Sequence, residues 1–181
     1  MDMARNELVE VFYTEPFTEC DRLLMVDSDI EFTPDDVRRL EADDLPVVSG
    51  VYHSNYGGQV LPVVYDWVDL DGVRSMKAVQ RWPDCEFDEE PDNPICTAPG
   101  VGAGFLMVKR EVFDALGERH ELPCRWFAEE IRNGVLFGED LTFGLRVAEA
   151  GFPVHVDRRV QVAHHKSVRL GGREVAVPSA V

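Results

Sequence analysis

The feature that most constrains this chain is an apolar run, Leu23-Leu24-Met25-Val26, that stops at two carboxylates one residue apart, Asp27 and Asp29. Four successive apolar residues read as a short strand buried on both faces, of the kind found inside a parallel sheet. In open α/β sheets ligands bind outside the carboxyl ends of such strands, so the two aspartates are predicted to face a crevice. Residues two apart in a strand point to the same side. Two carboxylates on one side repel unless a cation neutralises them, and hard cations such as Mg2+ and Mn2+ take carboxylate oxygens together with substrate phosphates. The competing reading is a solvated turn leading into a helix cap, where Asp is also common.

The flanking sequence predicts alternating elements. Ala4 to Phe12 reads as a helix with Leu8, Val11 and Phe12 on its inner face, ended before Pro16. Thr33 as N-cap, Pro34 in the first turn and the dipole-complementing Asp35 and Asp36 open a helix of about two turns, and Asp43 and Asp44 read as solvated. Val47 to Tyr52 is a strand in which Gly50 marks close approach by a ligand or a neighbouring element. Asp71-Gly72 joins Val63–Leu70 to Val73–Val79 as a hairpin. The acidic, proline-rich stretch from Pro83 to Pro99 reads as a surface loop bordering a site, or as disorder.

Gly100, Gly102 and Gly104 come before a strand at Phe105–Val108, which is followed by a helix from Glu111 to Leu116 that stops at Gly117. Dinucleotide fingerprints and P-loops have their glycines after a strand, so both are excluded. Gly102 and Gly104 either admit a sugar close to the backbone or serve tight turns. Glu139 and Asp140 open a helix over Leu141–Ala150 with Leu141, Leu145 and Ala148 inward. As isolated residues they read as capping charges. A strand at Pro153–Val156 follows. Of the adjacent His164 and His165, only one can enter a given site from an extended segment.

A chain of 181 residues supports one domain with its own core. Its net charge of −16 opposes non-specific nucleic-acid binding. The same charge repels a nucleoside diphosphate unless a cation or well-placed arginines intervene. Lysine occurs only at Lys77, Lys109 and Lys166. No apolar run approaches the roughly 20 residues of a membrane span, and the first ten residues lack a signal-peptide core, so a soluble cytoplasmic protein is expected. Cys20, Cys85, Cys96 and Cys124 form no C-x-x-C pair and read as free thiols, with a Cys85–Cys96 disulfide as the alternative.

Taken in order, Ala4-Arg5-Asn6, Asp27-Ser28-Asp29, the segment Gly102 to Phe113, Gly138-Glu139-Asp140 and His164 resemble the motifs of GT-A-type glycosyltransferases, specifically the family-2-like nucleotide-sugar enzymes. The resemblance implies an α/β fold: a GT-A-like (Rossmann-like), mixed but mostly parallel sheet flanked by helices. It implies a catalytic domain over residues 1–165 and a tail over 166–181. The family's N-terminal nucleoside-binding β-α-β region has no counterpart, so an N-terminally shortened fold is expected, with a partner chain or oligomer completing the nucleotide site.

By the same resemblance Asp29 and His164 would bind Mn2+ or Mg2+. Asp27 would contact the metal, its waters or the ribose, with Ser28 beside it at the donor. Arg5, Gly102 and Gly104 would approach the donor, and Trp126 would form a sugar wall. Asp140 would be the general base, with Glu139 as the competing assignment. The implied reaction moves a sugar from a nucleotide-sugar donor to an acceptor hydroxyl (of a glycan, protein, lipid or nucleobase-linked group), with inversion. The alternatives are a non-catalytic sugar-nucleotide or carbohydrate-binding remnant and a two-metal nucleotidyltransferase.

Overall fold

The structure, a computed structural model, describes residues 2–80, 94–121 and 125–166. Helix α1 (Asp2–Phe12) buries Arg5, Asn6, Val9 and Phe12 and leaves Leu8 and Val11 exposed. Of the helically spaced Leu8, Val11 and Phe12, only Phe12 faces inward. Arg5 and Asn6 turn inward because their hydrogen-bond partners lie across the fold, and that outweighs exposing two aliphatic side chains.

Strand β1 (Arg22–Val26) and the short β2 (Ile30–Glu31) bracket the two aspartates. Helix α2 (Pro34–Asp43) starts at a reciprocal capping box. The Asp36 N–H donates to Thr33 Oγ1 at 3.4 Å, and the Thr33 N–H donates to Asp36 Oδ2 at 2.7 Å. The helix runs ten residues, longer than expected. Strand β3 (Val47–Val51) is wholly buried, and β4 (His53–Tyr56) folds back on β5 (Gln59–Pro62). The hairpin of β6 (Val64–Leu70) and β7 (Val73–Ala78) turns at Asp71 (φ 53°) and Gly72 (φ 82°), the positive-φ pair that a two-residue turn requires.

Next come β8 (Ile95–Thr97), β9 (Gly100–Val101), β10 (Phe105–Lys109) and helix α3 (Arg110–Gly117). The chain continues through the β11 (Glu130–Arg132) and β12 (Val135–Phe137) hairpin to helix α4 (Glu139–Glu149). It then forms β13 (His155–Gln161) and β14 (Ala163–His164). Helix α4 turns its Thr142–Val147 segment inward and leaves Ala148 exposed, unlike the face predicted from Leu141, Leu145 and Ala148. Part of the stretch read as a surface loop is sheet, since β8 pairs with β13; its residues 83–93 lie outside the described residues. Cys20 is a free thiol and the Cys96 thiol donates to the Val156 carbonyl at 3.7 Å, while Cys85 and Cys124 also lie outside the described residues.

The main sheet has the order β1-β10-β3-β13-β8. Only the β3–β13 ladder is parallel; β1–β10, β10–β3 and β13–β8 are antiparallel. The expected Rossmann-like, mostly parallel sheet is thus corrected to small mixed and antiparallel sheets. The apolar run misled because length and hydropathy do not distinguish parallel from antiparallel pairing. Strand β1 ends the sheet order, with Leu23 and Leu24 only half-buried and Val26 exposed. The strands buried on both faces are β3 and β10; β10 shows the division most fully. Its Leu106 and Val108 enter a core with α1, α3 and α4, while Phe105 and Met107 enter a second core with Leu40 of α2.

Direction matters more than pairing for where the site forms. Strand β10 runs antiparallel to both β1 and β3, and β13 runs parallel to β3, so β1, β3 and β13 all point the same way. Their carboxyl ends deliver Asp27, Tyr52 and the segment to His164 to one edge, where Gly102 and Gly104 enter β10. Gly50 serves packing there, since a Cβ would come within 2.7 Å of Val160 Cγ1 and 2.9 Å of Phe105. Among the described residues no helix is long and apolar enough to cross a membrane.

Asp43 is not solvated as expected, for its side chain is only 6% exposed against Arg159. Arg159 Nη2 donates to Asp43 Oδ1 at 2.8 Å and to Asp157 Oδ2 at 2.9 Å, and Asp157 is fully buried. Burial, then the Asp157 charge, push the Asp43 carboxyl up to about 6 from an ordinary 3.8. Between those values the folded chain holds more protons than the unfolded one, so this group's stabilisation is full below the lower value and is lost as pH rises through the upper one. Urea unfolding from pH 4 to 7 is expected to show the wild type losing on the order of 1–2 kcal/mol relative to Asp43→Asn. Parallel curves for the two proteins would contradict this.

Candidate functional site

Arg5 gathers carboxylates from two distant segments. Its Nη2 donates to Asp27 Oδ1 at 2.9 Å, and its Nη1 donates to Glu139 Oε1 at 2.8 Å. Nη1 also lies 3.0 Å from Asp140 Oδ1, yet that oxygen accepts no aligned hydrogen bond among the described residues. The Arg5 side chain is 8% exposed, and one guanidinium faces three acids. Burial pushes the Asp140 carboxyl up, and Glu139 and Asp27 add to this. Arg5 and the Ala103 backbone N–H oppose it. Burial alone would lower Arg5, but the Asp140, Asp27 and Glu139 charges together hold it above its ordinary value.

Beside Arg5, Asn6 fixes the 126–127 backbone. Its Oδ1 accepts from Trp126 N at 3.0 Å and Phe127 N at 3.1 Å, and its Nδ2 donates to Phe127 O at 2.7 Å. Trp126 is buried, its indole N–H donating to Phe113 O at 2.9 Å and its ring stacking on Tyr13. The residue expected to be a sugar wall is thus a mostly buried side chain that lines a different cleft from the aspartates, beside Tyr13 and Asp114.

Strand β1 ends before the aspartates, and Asp27-Ser28-Asp29 is a turn closed by Ile30 N–H donating to Asp27 O at 3.1 Å. The expectation that Asp27 and Asp29 share a strand face is corrected accordingly. Asp27 goes to Arg5 and Asp29 goes to the β14 segment. Strand β14 pairs with β2, and the His165 N–H donates to Asp29 O at 2.8 Å. His164 Nδ1 donates to the His53 carbonyl at 2.8 Å, which aims Nε2 at Asp29 Oδ2, 3.2 Å away. Lys166 Nζ donates to the same oxygen at 2.9 Å. Chiefly through that lysine, the Asp29 carboxyl is held below its ordinary value. His165 turns away to Glu31.

Asp27, Ser28, Asp29, His164 and Lys166 line one cleft of about 370 Å³ with Tyr52, Ser54, Tyr56 and Val63. Tyr52 is buried behind it, its hydroxyl accepting from Gly104 N at 3.1 Å and its ring standing edge-on to His164. A Cβ on Gly102 would meet Tyr52 Oη at 2.1 Å, and one on Gly104 would lie 2.8 Å from Tyr52 and 3.0 Å from Asp27 Oδ2. These glycines make room for Tyr52, so the space assigned to a sugar is filled by protein.

Sequence reasoning passes over Tyr52, Tyr56 and Lys166 as cleft residues. Only Lys166 carries a signal, as one of three lysines and two positions from His164.

Comparison with known proteins gives a fold and no family. No protein-family model matches the chain, and no curated protein sequence does. The crystal structure of A197 from STIV is similar in fold. It matches with a TM-score of 0.57 and 19% identity, over 92% of this chain and 68% of that one.

Among the described residues no three His, Cys, Asp or Glu side chains are gathered closely enough to hold an ion. The expected trio of Asp27, Asp29 and His164 is therefore reduced to a pair, because Arg5 claims Asp27. The pair offers a cation such as Mn2+ one carboxylate oxygen and one imidazole nitrogen, the latter oriented by a carbonyl on its other nitrogen. With Nδ1–H given to a carbonyl, Nε2 is the ring nitrogen that faces Asp29 Oδ2 and any cation placed there. Such ions complete their coordination with donor phosphates and water.

Removing the Arg5 charge would leave three carboxylates facing one another. Arg5→Met is expected to cost about 3 kcal/mol or more at pH 7. The loss should shrink below about pH 5, where carboxylates protonate, as read by urea unfolding at the two pH values. An equal loss at both would contradict the electrostatic account.

Proposed function

We propose that this chain is a metal-dependent glycosyltransferase that moves a sugar from a nucleotide-sugar donor to an acceptor hydroxyl. The observation that supports it is the Arg5 clasp, in which the first aspartate of D-x-D and the Glu139-Asp140 pair meet on one guanidinium. Residues that resemble a donor motif and a catalytic-base motif in sequence are neighbours in space, beside a cleft holding Asp29 and His164.

In this reading Asp29 and His164 hold the divalent ion, which supplies positive charge against the departing nucleoside diphosphate. Asp140 takes the proton of the acceptor hydroxyl as that oxygen attacks the anomeric carbon. Its upward-shifted carboxyl makes it a stronger base than an ordinary carboxylate, and one of its oxygens has no aligned donor among the described residues. Glu139 and Asp27 accept aligned hydrogen bonds from Arg5, whereas Asp140 meets it only through an unaligned contact at 3.0 Å, which favours Asp140 as the single base and one displacement with inversion. Arg5 opposes the upward shift that burial and the two neighbouring acids impose on Asp140.

A second reading, a sugar-nucleotide binder without turnover, is favoured by the same clasp, since Arg5 draws off charge from all three acids. Turnover separates the two. A panel of nucleoside diphosphates and nucleotide sugars, with and without Mn2+, should contain a donor that raises the melting temperature. With that donor, Asp140→Asn should keep the shift and lose roughly 10²- to 10⁴-fold in transfer, while Asp29→Ala should lose the Mn2+-dependent part of the shift. No shift with any member of the panel would sink the transferase and the binder alike, and a shift without a transferred product would leave the binder.

A further inference from the structure

Lys166 reaches Asp29 through a built connection. Strand β14 pairs with β2 in the register Ala163↔Glu31 and His164↔Ile30, and the His165 N–H donates to Asp29 O at 2.8 Å. The next residue is thereby carried over the D-x-D turn. Its ammonium lies 2.9 Å from Asp29 Oδ2, the same oxygen that His164 Nε2 approaches at 3.2 Å. Two nitrogen groups converge on the oxygen that would take a metal.

We propose that Lys166 is an internal counter-cation for Asp29 that a divalent ion must displace, so that the chain carries its own competitor for the metal position. This rests on the reading of Asp29 and His164 as metal ligands. An ammonium 2.9 Å from that oxygen repels a divalent ion arriving at it, so the ion binds better once the ammonium has swung away. The exchange is cheap. The Lys166 side chain is 53% exposed and that of Asp29 38%, so the ammonium leaves without uncovering apolar surface, and exposed pairs of this kind hold weakly. Without an ion the lysine balances a carboxylate in a strongly acidic chain. With an ion bound the ammonium is released on the wall of the same cleft, where an anionic ligand can take it.

Mn2+ titration of the full chain, read by the electron paramagnetic resonance signal of free Mn2+, tests this without any turnover. Lys166→Met is expected to bind Mn2+ roughly tenfold more tightly than the wild type, Lys166→Arg to remain close to it, and Asp29→Ala to lose the site. Wild-type binding that Lys166→Met leaves unchanged or weakens would overturn the competitor while leaving the metal reading intact. Absence of Mn2+ binding in both wild type and Lys166→Met would overturn the metal reading and the competitor with it.

Discussion

One guanidinium organises this molecule. Arg5 enters from the first helix and holds the end of β1 against the start of α4, partners separated from it by 22 and 134 positions in the chain. An arginine suits the task because its planar fork presents several donors in fixed directions and keeps its charge when buried. Replacing it by an apolar residue would remove the one positive charge that lets Asp27, Glu139 and Asp140 sit together. The value of such a cluster lies in register more than in net stability, since the desolvation cost of buried charges offsets much of their attraction. Its neighbour Asn6 does comparable work with neutral groups, tying the 126–127 backbone to the same helix turn.

The sheet then decides what is brought to the clasp. Antiparallel β10 separates β1 from β3, yet β1, β3 and β13 keep a common direction, so their carboxyl ends open at one edge. The cleft thus lies at the carboxyl ends of strands that share a direction, in a sheet that is mostly antiparallel. Tyr52, just beyond β3, fills the space left by Gly102 and Gly104 and stands edge-on to His164, joining the two halves of the site by packing. The two halves differ in their cation: the Arg5 guanidinium is buried, whereas the lysine on Asp29 is exposed.

Features governed by neighbouring residues are legible in the sequence. The Thr33–Asp36 capping box, the Asp71-Gly72 turn and the ends of α3 depend on hydrogen bonds and φ values set within a few positions. The grouping of Asp27, Asp29, Glu139, Asp140, Arg5 and His164 is legible as an ordered set of motifs, without its geometry. Sheet direction is not legible, because a four-residue apolar run reads the same in either pairing. Nor is the burial of Trp126 or Asp43, since each depends on one distant partner, the Phe113 carbonyl and Arg159.

The sequence by itself determined where the Thr33 cap and the Asp71-Gly72 turn fall, and that a chain of net charge −16 must manage its own carboxylates. Only the tertiary structure decided that Asp27 and Asp29 part company, one to an arginine and one to a histidine and a lysine. The physical reason is range. Caps and turns are settled within a few residues, whereas the partner of a carboxylate is whichever cation the folded backbone carries within about 3 Å, and no local pattern specifies that.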